Sequence, residues 1–144
     1  MPPFRFRLPR AVRPVVPRLK LRYAPETDGL PDPGEVCWAW VPYEEDAQRG
    51  KDRPVLIIGT DGDQLLALQL TSKDHDRDAG QEASVGRYWM DVGAGGWDPR
   101  HRPSEVRLNR LLRLDPATVR REGAALDEGV FADVMVAARP YLER

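Results

Sequence analysis

The residue types that most often carry acid–base chemistry are scarce in this chain. There are two histidines, His75 and His101. Imidazole titrates near neutral pH, so such a pair could supply the general acid and general base of a nuclease. Both lie in strongly charged stretches, which favours solvated side chains. A histidine-based nuclease is therefore kept as an alternative, and it predicts that His75→Ala and His101→Ala abolish activity.

Two other motifs resemble ligand-binding loops but are incomplete. The aspartates from Asp74 to Asp78 are spaced as in a calcium loop. Counted from Asp74, however, the obligatory glycine position is Ala79 and the bidentate glutamate position is Val85. Residues 93–96, Gly-Ala-Gly-Gly, lack the third glycine of a dinucleotide-binding fingerprint. We therefore expect neither a metal ion nor a cofactor.

Charge is distributed unevenly along the 144 residues, whose net charge is −1. Residues 1–33 carry seven basic and three acidic side chains, whereas residues 34–144 carry fifteen basic and twenty acidic ones. An acidic body does not attract a polyanion, so any contact with nucleic acid must depend on a local basic patch. Eight of the fourteen prolines fall in residues 1–33. We expect residues 1–32 to be a basic, disordered extension, with an RNA-binding or partner-binding arm as the alternative.

The remaining residues, 33–144, are expected to form one domain. No apolar run approaches the roughly 20 residues that span a bilayer, and the N-terminus lacks the apolar core of a secretory signal. The single cysteine, Cys37, cannot form an intramolecular disulfide or a cysteine-based zinc site. We therefore expect a cytoplasmic protein without membrane contact, in which Cys37 is buried on a strand.

From Gly34 onwards the sequence predicts short strands followed by helices. Strands are expected at residues 35–41, 53–59, 64–72, 85–92 and 105–114. A polar loop over residues 42–52 joins the first two strands, and Asp61-Gly62 predicts a type I′ hairpin turn. The fold class is therefore mainly β, a small barrel capped by C-terminal helices.

Two C-terminal helices are predicted. Asp115-Pro116 has the pattern of an N-cap followed by proline, and it opens a short helix over residues 117–122. A second helix is expected from about Asp127 to Ala138, with Pro140 as its stop. One face of that helix is apolar and consists of Phe131, Val134, Met135 and Ala138.

The third predicted strand has two distinct faces. Leu66, Leu68 and Leu70 alternate with Gln69 and Thr71. If the leucines face the core, Thr71 points outward. By the same alternation Ser72 points inward and is the weaker candidate for a functional hydroxyl.

The region around these strands resembles the MazF/PemK family. Residues 33–36 are Pro-Gly-Glu-Val, residues 49–58 are Arg-Gly-Lys-Asp-Arg-Pro-Val-Leu-Ile-Ile, and Thr71 and Ser72 end the next strand. Family members similarly place Gly-Asp/Glu-Val/Ile before a polar loop, a Gly-x-x-Arg-Pro-x-apolar strand, and a Thr or Ser at the end of the following strand. The resemblance extends from about residue 33 to residue 142 and is most specific at residues 50–54.

This resemblance implies an SH3-like barrel of the MazF/PemK type that forms a homodimer. It also implies a metal-independent endoribonuclease toxin of a type II toxin–antitoxin system, with single-stranded RNA as substrate and a cognate antitoxin protein as partner. By position, Arg53 matches the catalytic arginine of the family and Thr71 its catalytic threonine or serine. The residues expected to help bind substrate are Arg49, Lys51, Ser72, Lys73 and Arg77.

An arginine and a hydroxyl suit the cleavage of RNA by its own 2′-hydroxyl. The protein then supplies alignment and stabilisation of the developing charge, and a guanidinium offers two parallel donors to phosphate oxygens. The acidic residues Glu44, Glu45 and Asp46 lie close by in the sequence and would repel phosphate. A non-catalytic SH3-like barrel that binds protein or nucleic acid is therefore the main alternative.

Overall fold

A computed structural model of the chain describes residues 31–72 and 86–142. The predicted basic extension lies outside the described residues except for its last two positions. Lys73, Arg77, His75 and the calcium-like run also lie outside them.

The described residues form a curled antiparallel sheet and one helix. The strands are β1 (Glu35–Tyr43), β2 (Asp46–Asp61), β3 (Gln64–Thr71), β4 (Trp89–Gly93), β5 (Ser104–Arg107), β6 (Leu112–Leu114) and β7 (Arg120–Ala125). Their order in the sheet is β4-β5-β3-β2-β1-β7, and β6 also pairs with β3. A short 3-10 helix (Pro116–Thr118) precedes β7, and α1 (Glu128–Leu142) ends the described chain. The predicted fold class, mainly β with a small barrel-like sheet, is confirmed, but the described chain has one C-terminal helix where two were predicted.

The central strands are apolar on both faces because each face covers a separate cluster. Leu66, Leu68 and Leu70 of β3 pack with Phe131 and Val134 of α1. The opposite face buries a second cluster, which contains Cys37, Ala39, Val41, Val55, Ile57, Leu65, Ala67, Leu112 and Leu114. This double burial explains the uninterrupted apolar run in β2, and it confirms that Cys37 is buried on a strand.

The prediction of a polar loop over residues 42–52 is wrong, because β1 and β2 extend into this segment and form a hairpin. Val41 pairs with Lys51 and Pro42 with Gly50, which leaves Glu44 and Glu45 as the turn. The side chains from Glu44 to Arg49 are exposed, so their polarity is compatible with strands that project into water. Gly50 is needed here, since a Cβ atom at this position would lie 2.4 Å from the Val41 carbonyl oxygen.

Three other elements differ from the prediction. The hairpin between β2 and β3 forms, but its turn is Gly62-Asp63 and only Gly62 has a positive φ, of 61°, so it is not type I′. The fourth strand begins later than expected, at Trp89. The fifth is divided into β5 and β6 by a bend after Arg107.

The prediction of a helix over residues 117–122 is also wrong, although Asp115 is the N-cap as predicted. Asp115 accepts a hydrogen bond from the Ala117 nitrogen at 2.9 Å, but only one 3-10 turn follows. The chain then becomes β7, which pairs Glu35 with Ala125 and Val36 with Ala124. Pairing with the open edge of β1 satisfies backbone groups that a short isolated helix would leave at its ends.

The helix α1 has the predicted buried face but a different end. Phe131, Val134, Met135 and Ala138 are buried, as expected. Pro140 lies inside the helix and does not stop it. The last turn is held by tertiary contacts, because Leu142 is buried and Tyr141 stacks on Tyr88 with ring centroids 5.4 Å apart. In the described part of the chain no helix is long and apolar enough to cross a membrane.

Candidate active site

Strands β2 and β3 bring Arg53 and Thr71 together. Their register pairs Val55 with Gln69 and Leu56 with Leu68, and its continuation places Arg53 beside Thr71. Both residues line the same two neighbouring pockets. The two residues that the resemblance singles out therefore lie on one face of the sheet, where the pockets meet.

The predicted division of β3 into two faces is confirmed for the leucines, but Thr71 is buried and does not point outward into solvent. Leu66, Leu68 and Leu70 face the cluster under α1, whereas Thr71 is turned toward the pockets and is 9% exposed. The inward orientation predicted for Ser72 is wrong. Because β3 ends at Thr71, Ser72 is exposed and lines one of the pockets.

Arg53 is half-buried and makes no ion pair or side-chain hydrogen bond within the described part of the chain. Three other arginines of the sheet are engaged: Arg107 pairs with Glu44, Arg113 with Asp61, and Arg120 with Asp52. The guanidinium of Arg53 therefore has its full set of donors available for an incoming anion.

The first pocket, which we call the arginine pocket, has a volume of about 330 Å³. It is lined by four arginines, two glutamates, Thr71, Gln69 and Trp89; the charged residues are Arg53, Arg87, Arg107, Arg110, Glu44 and Glu45. The lining thus has a positive excess, although the body as a whole is acidic. Such a patch supplies the local attraction for phosphate that the sequence leaves undetermined.

Arg107 is the most buried cation of this pocket, with its side chain 5% exposed. Its two terminal nitrogens donate to the two carboxylate oxygens of Glu44, each at 3.1 Å. Its Nε donates to the Asn109 side-chain oxygen at 2.6 Å. The hydrogen bonds from Arg107 lower the pKa of Glu44, so this carboxylate is charged at neutral pH.

Arg110 is fixed by a backbone contact. Its Nη2 donates to the Pro42 carbonyl oxygen at 2.8 Å. Burial lowers the pKa of Arg110, and the charges of Arg107 and Arg53 act in the same direction. An arginine nevertheless stays protonated at neutral pH, so an anion that enters the pocket would relieve repulsion among three like charges.

The second pocket, the tryptophan pocket, has a volume of about 640 Å³ and combines an aromatic wall with polar groups. The Trp38 indole nitrogen donates to the Trp97 carbonyl oxygen at 2.9 Å, and that of Trp97 donates to the Ser104 hydroxyl at 3.0 Å. Trp97 is buried, whereas Trp38 is half-buried. Trp38 therefore presents a fixed ring to the pocket, with its only donor already used.

A buried carboxylate holds the loop at the edge of the tryptophan pocket. Asp98 is 4% exposed and accepts from Arg102 Nε at 2.8 Å and from the Arg100 nitrogen at 2.9 Å. The hydrogen bond from Arg102 is the main cause that lowers the pKa of Asp98. The loop that carries Trp97 is thus fixed by a charged pair.

The other predicted site residues divide into three groups. Lys51 and Ser72 line the tryptophan pocket with Arg53 and Thr71. Arg49 lines neither pocket, and its guanidinium carbon lies 5.9 Å from the ring centroid of Tyr43. Lys73 and Arg77 lie outside the described residues.

The sequence analysis missed most of the arginine pocket. It also missed Trp38, which forms an aromatic wall of the tryptophan pocket. Arg107 and Arg110 fall in the stretch predicted as one strand over residues 105–114, and Trp38 falls in the strand predicted over residues 35–41, with no functional role assigned to any of them. The sequence carries no clear signal for Arg107, because β5 is Ser-Glu-Val-Arg and reads as a polar strand; only the structure shows that all four of its residues are buried.

Neither histidine chemistry nor a metal centre has support in the described residues. His101 is exposed and lines neither pocket, and His75 lies outside the described part. Within residues 31–72 and 86–142, no group of three or more His, Cys, Asp or Glu side chains could hold a metal ion.

Comparison with known families agrees with this geometry. The family model of PemK-like, MazF-like toxins of type II toxin–antitoxin systems matches residues 32–142. The chain belongs to this family. It is therefore a toxin of the MazF/PemK type, a class that implies an RNA substrate and an antitoxin partner. No curated protein matches the chain at a significant level.

Proposed function

We propose that the chain is a metal-independent endoribonuclease that cleaves single-stranded RNA, such as mRNA, by attack of a ribose 2′-hydroxyl. The observation that carries the proposal is the meeting of Arg53 and Thr71 at the junction of the two pockets, with Arg53 free of any ion pair within the described residues. The family membership agrees with it.

The reaction needs alignment and charge stabilisation more than a protein nucleophile. The 2′-oxygen forms a bond to phosphorus while the bond to the 5′-oxygen breaks, which leaves a 2′,3′-cyclic phosphate. Arg53 donates two parallel hydrogen bonds to the non-bridging oxygens, and the Thr71 hydroxyl donates a third. The 2′-hydroxyl proton is lost to solvent water and the leaving 5′-oxygen gains one. Arginine, with a pKa above about 12, acts mainly as an electrostatic stabiliser.

The two pockets suit different parts of a single strand. The arginine pocket can hold backbone phosphates, whereas the ring of Trp38 offers a surface for stacking a base. Lys51, Ser72 and Arg102 around that ring could bind the edge of the base. A base can enter such a pocket only when it is unpaired, which supports single-stranded RNA as substrate.

The proposed partners follow from the same surface. A cognate antitoxin with an acidic binding segment would occupy the pockets and exclude RNA, since carboxylates and phosphates bind the same guanidinium groups. We further propose that the toxin is a cytoplasmic homodimer. Light scattering on the purified protein would test the dimer, and a monomer at all concentrations would refute it.

The proposed activity is tested by incubating the pure protein with labelled single-stranded RNA in excess chelator. We expect cleavage at a limited set of sites, with 2′,3′-cyclic phosphate ends, and growth arrest when the protein is expressed in cells. Loss of cleavage in chelator would refute the metal-independent mechanism. Stable RNA binding without turnover or growth arrest would instead support a non-catalytic barrel module.

A further inference from the structure

The contact between Glu44 and Arg107 joins two very different environments. Glu44 is in the turn of the β1–β2 hairpin and its side chain is 48% exposed, whereas that of Arg107 is 5% exposed. The residues are 63 positions apart in the sequence. The carboxylate therefore reaches from the hairpin turn into the arginine pocket, which also contains Arg53 and Thr71.

The arrangement has the geometry of an occupied anion site. Both oxygens of Glu44 accept from the two terminal nitrogens of Arg107. Two oxygens of a phosphodiester can accept from the same fork, because carboxylate and phosphate both match the planar guanidinium. Glu44 thus takes the position that a backbone phosphate would take.

Arg107 does not depend on Glu44 for its position. Its Nε is held by Asn109 at 2.6 Å, and Nη2 also contacts the Gly86 carbonyl oxygen at 3.4 Å. Asn109 in turn accepts from the Tyr88 nitrogen at 3.2 Å. If Glu44 leaves, the guanidinium remains in place and becomes a preorganised donor for another anion.

Glu44 is well placed to leave. The hairpin turn consists of Glu44 and Glu45, both exposed, and the strand pairing shifts register between Pro42 and Tyr43. Rotation of one exposed side chain would open the site without moving the sheet. Water reaches the pair from the Glu44 side, so a phosphate of the substrate can replace this carboxylate while the buried Arg107 guanidinium stays paired with an anion.

We infer that Arg107 is a second phosphate subsite and that Glu44 competes for it with an RNA phosphate next to the scissile one. This rests on the proposed function, in which RNA enters the same pocket. Bound RNA would exchange the Glu44 carboxylate for its own phosphate, and Glu44 would return to water. Glu44 thereby weakens the affinity of the free toxin for any strand whose phosphate must displace it from Arg107.

The inference is tested by binding of a labelled single-stranded DNA oligonucleotide of mixed sequence, measured by fluorescence anisotropy. DNA lacks the 2′-hydroxyl and cannot react, so affinity is measured without cleavage. We expect Glu44→Gln and Glu44→Ala to bind about fivefold more tightly than wild type, equivalent to about 1 kcal/mol. Both variants remove the charged partner of the buried Arg107, so thermal unfolding is measured in parallel, and Glu44→Gln keeps a side-chain oxygen that can accept from Arg107.

The matched control is Asp46→Asn, which removes one negative charge from the same end of the hairpin. Asp46 lines neither pocket, and an asparagine can still accept from the Gln48 nitrogen as Asp46 does at 3.1 Å. We expect less than about twofold change for this control, because exposed charges at a distance are screened. The inference is overturned if Asp46→Asn raises the affinity for the oligonucleotide as much as the Glu44 variants do. It is also overturned if the Glu44 variants do not raise that affinity.

The outcomes also separate this inference from the proposed function. If the wild-type protein does not cleave RNA but the Glu44→Gln variant binds the oligonucleotide more tightly, the proposed enzyme activity is refuted and the anion subsite is supported. A protein that cleaves RNA while its Glu44 variants bind with unchanged affinity refutes the subsite alone.

Discussion

The most decisive perturbation is the removal of the Arg53 guanidinium. Within the described residues it has no ion pair or hydrogen bond, so Arg53→Ala should change the free energy of unfolding by no more than about 0.5 kcal/mol. Loss of a single preorganised donor typically slows a reaction about 100- to 1000-fold. Since Arg53 can present two donors, we expect Arg53→Ala to cleave RNA about 1000-fold more slowly. That factor corresponds to about 4 kcal/mol of lost transition-state stabilisation.

The assay is single-turnover cleavage of labelled RNA in excess chelator, with protein stability measured in parallel. Arg53→Lys should retain charge but lose the planar fork, and we expect a loss of about 10- to 100-fold. The control is Arg113→Ala, which also deletes a guanidinium. Arg113 pairs with Asp61 and lines neither pocket. If Arg53→Ala cleaves within about tenfold of wild type, Arg53 does not stabilise the transition state and the mechanism is refuted.

Three further predictions concern other parts of the site. Thr71→Ala should slow cleavage about 100-fold, whereas Thr71→Ser should restore most of the rate because it keeps the hydroxyl; equal rates for both variants would exclude a role for that donor. Trp38→Ala should raise KM about tenfold and Trp38→Phe much less, since stacking on an aromatic ring is worth about 1–3 kcal/mol per base; an unchanged KM would place the base elsewhere. Asp98→Asn should lower Tm at pH 7, because the charge-assisted bond from Arg102 is lost. Because the pKa of Asp98 is lowered in the fold from its ordinary 3.8, this stabilisation is present above that pH. The Tm difference should therefore shrink as pH falls below 3.8, and a constant difference would contradict the assignment.

The sequence was a good guide wherever local pattern decides structure. The alternation of Leu66, Leu68 and Leu70 with Thr71 follows from the two-residue period of a strand, and the buried face of α1 follows from the helical period. The resemblance around Arg53 placed that residue and Thr71 at a common site, and the register of β2 and β3 brings them to the same pockets. Their catalytic roles stay predictions.

The sequence was a poor guide wherever a partner distant along the chain decides. The sequence predicts a helix over residues 117–122, but residues 120–125 pair with the edge of β1, which begins 85 positions earlier at Glu35. The polarity of residues 42–52 predicts a loop, although they form a hairpin, because hydrophilic side chains are exposed in either case. Pro140 is accepted in α1 because tertiary contacts of its neighbours hold the last turn.

The sequence by itself determined that this is a small, mainly β toxin domain of the MazF/PemK type, because strand periodicity and the short motif near Arg53 are local properties. Only the tertiary structure decided what surrounds Arg53. The arginine pocket joins side chains from the hairpin turn, β2, β3 and the β5–β6 region, and their convergence depends on long-range strand pairing and curvature of the sheet. That convergence gathers four arginines and two glutamates in one pocket, a local positive excess within residues 34–144, whose net charge is negative.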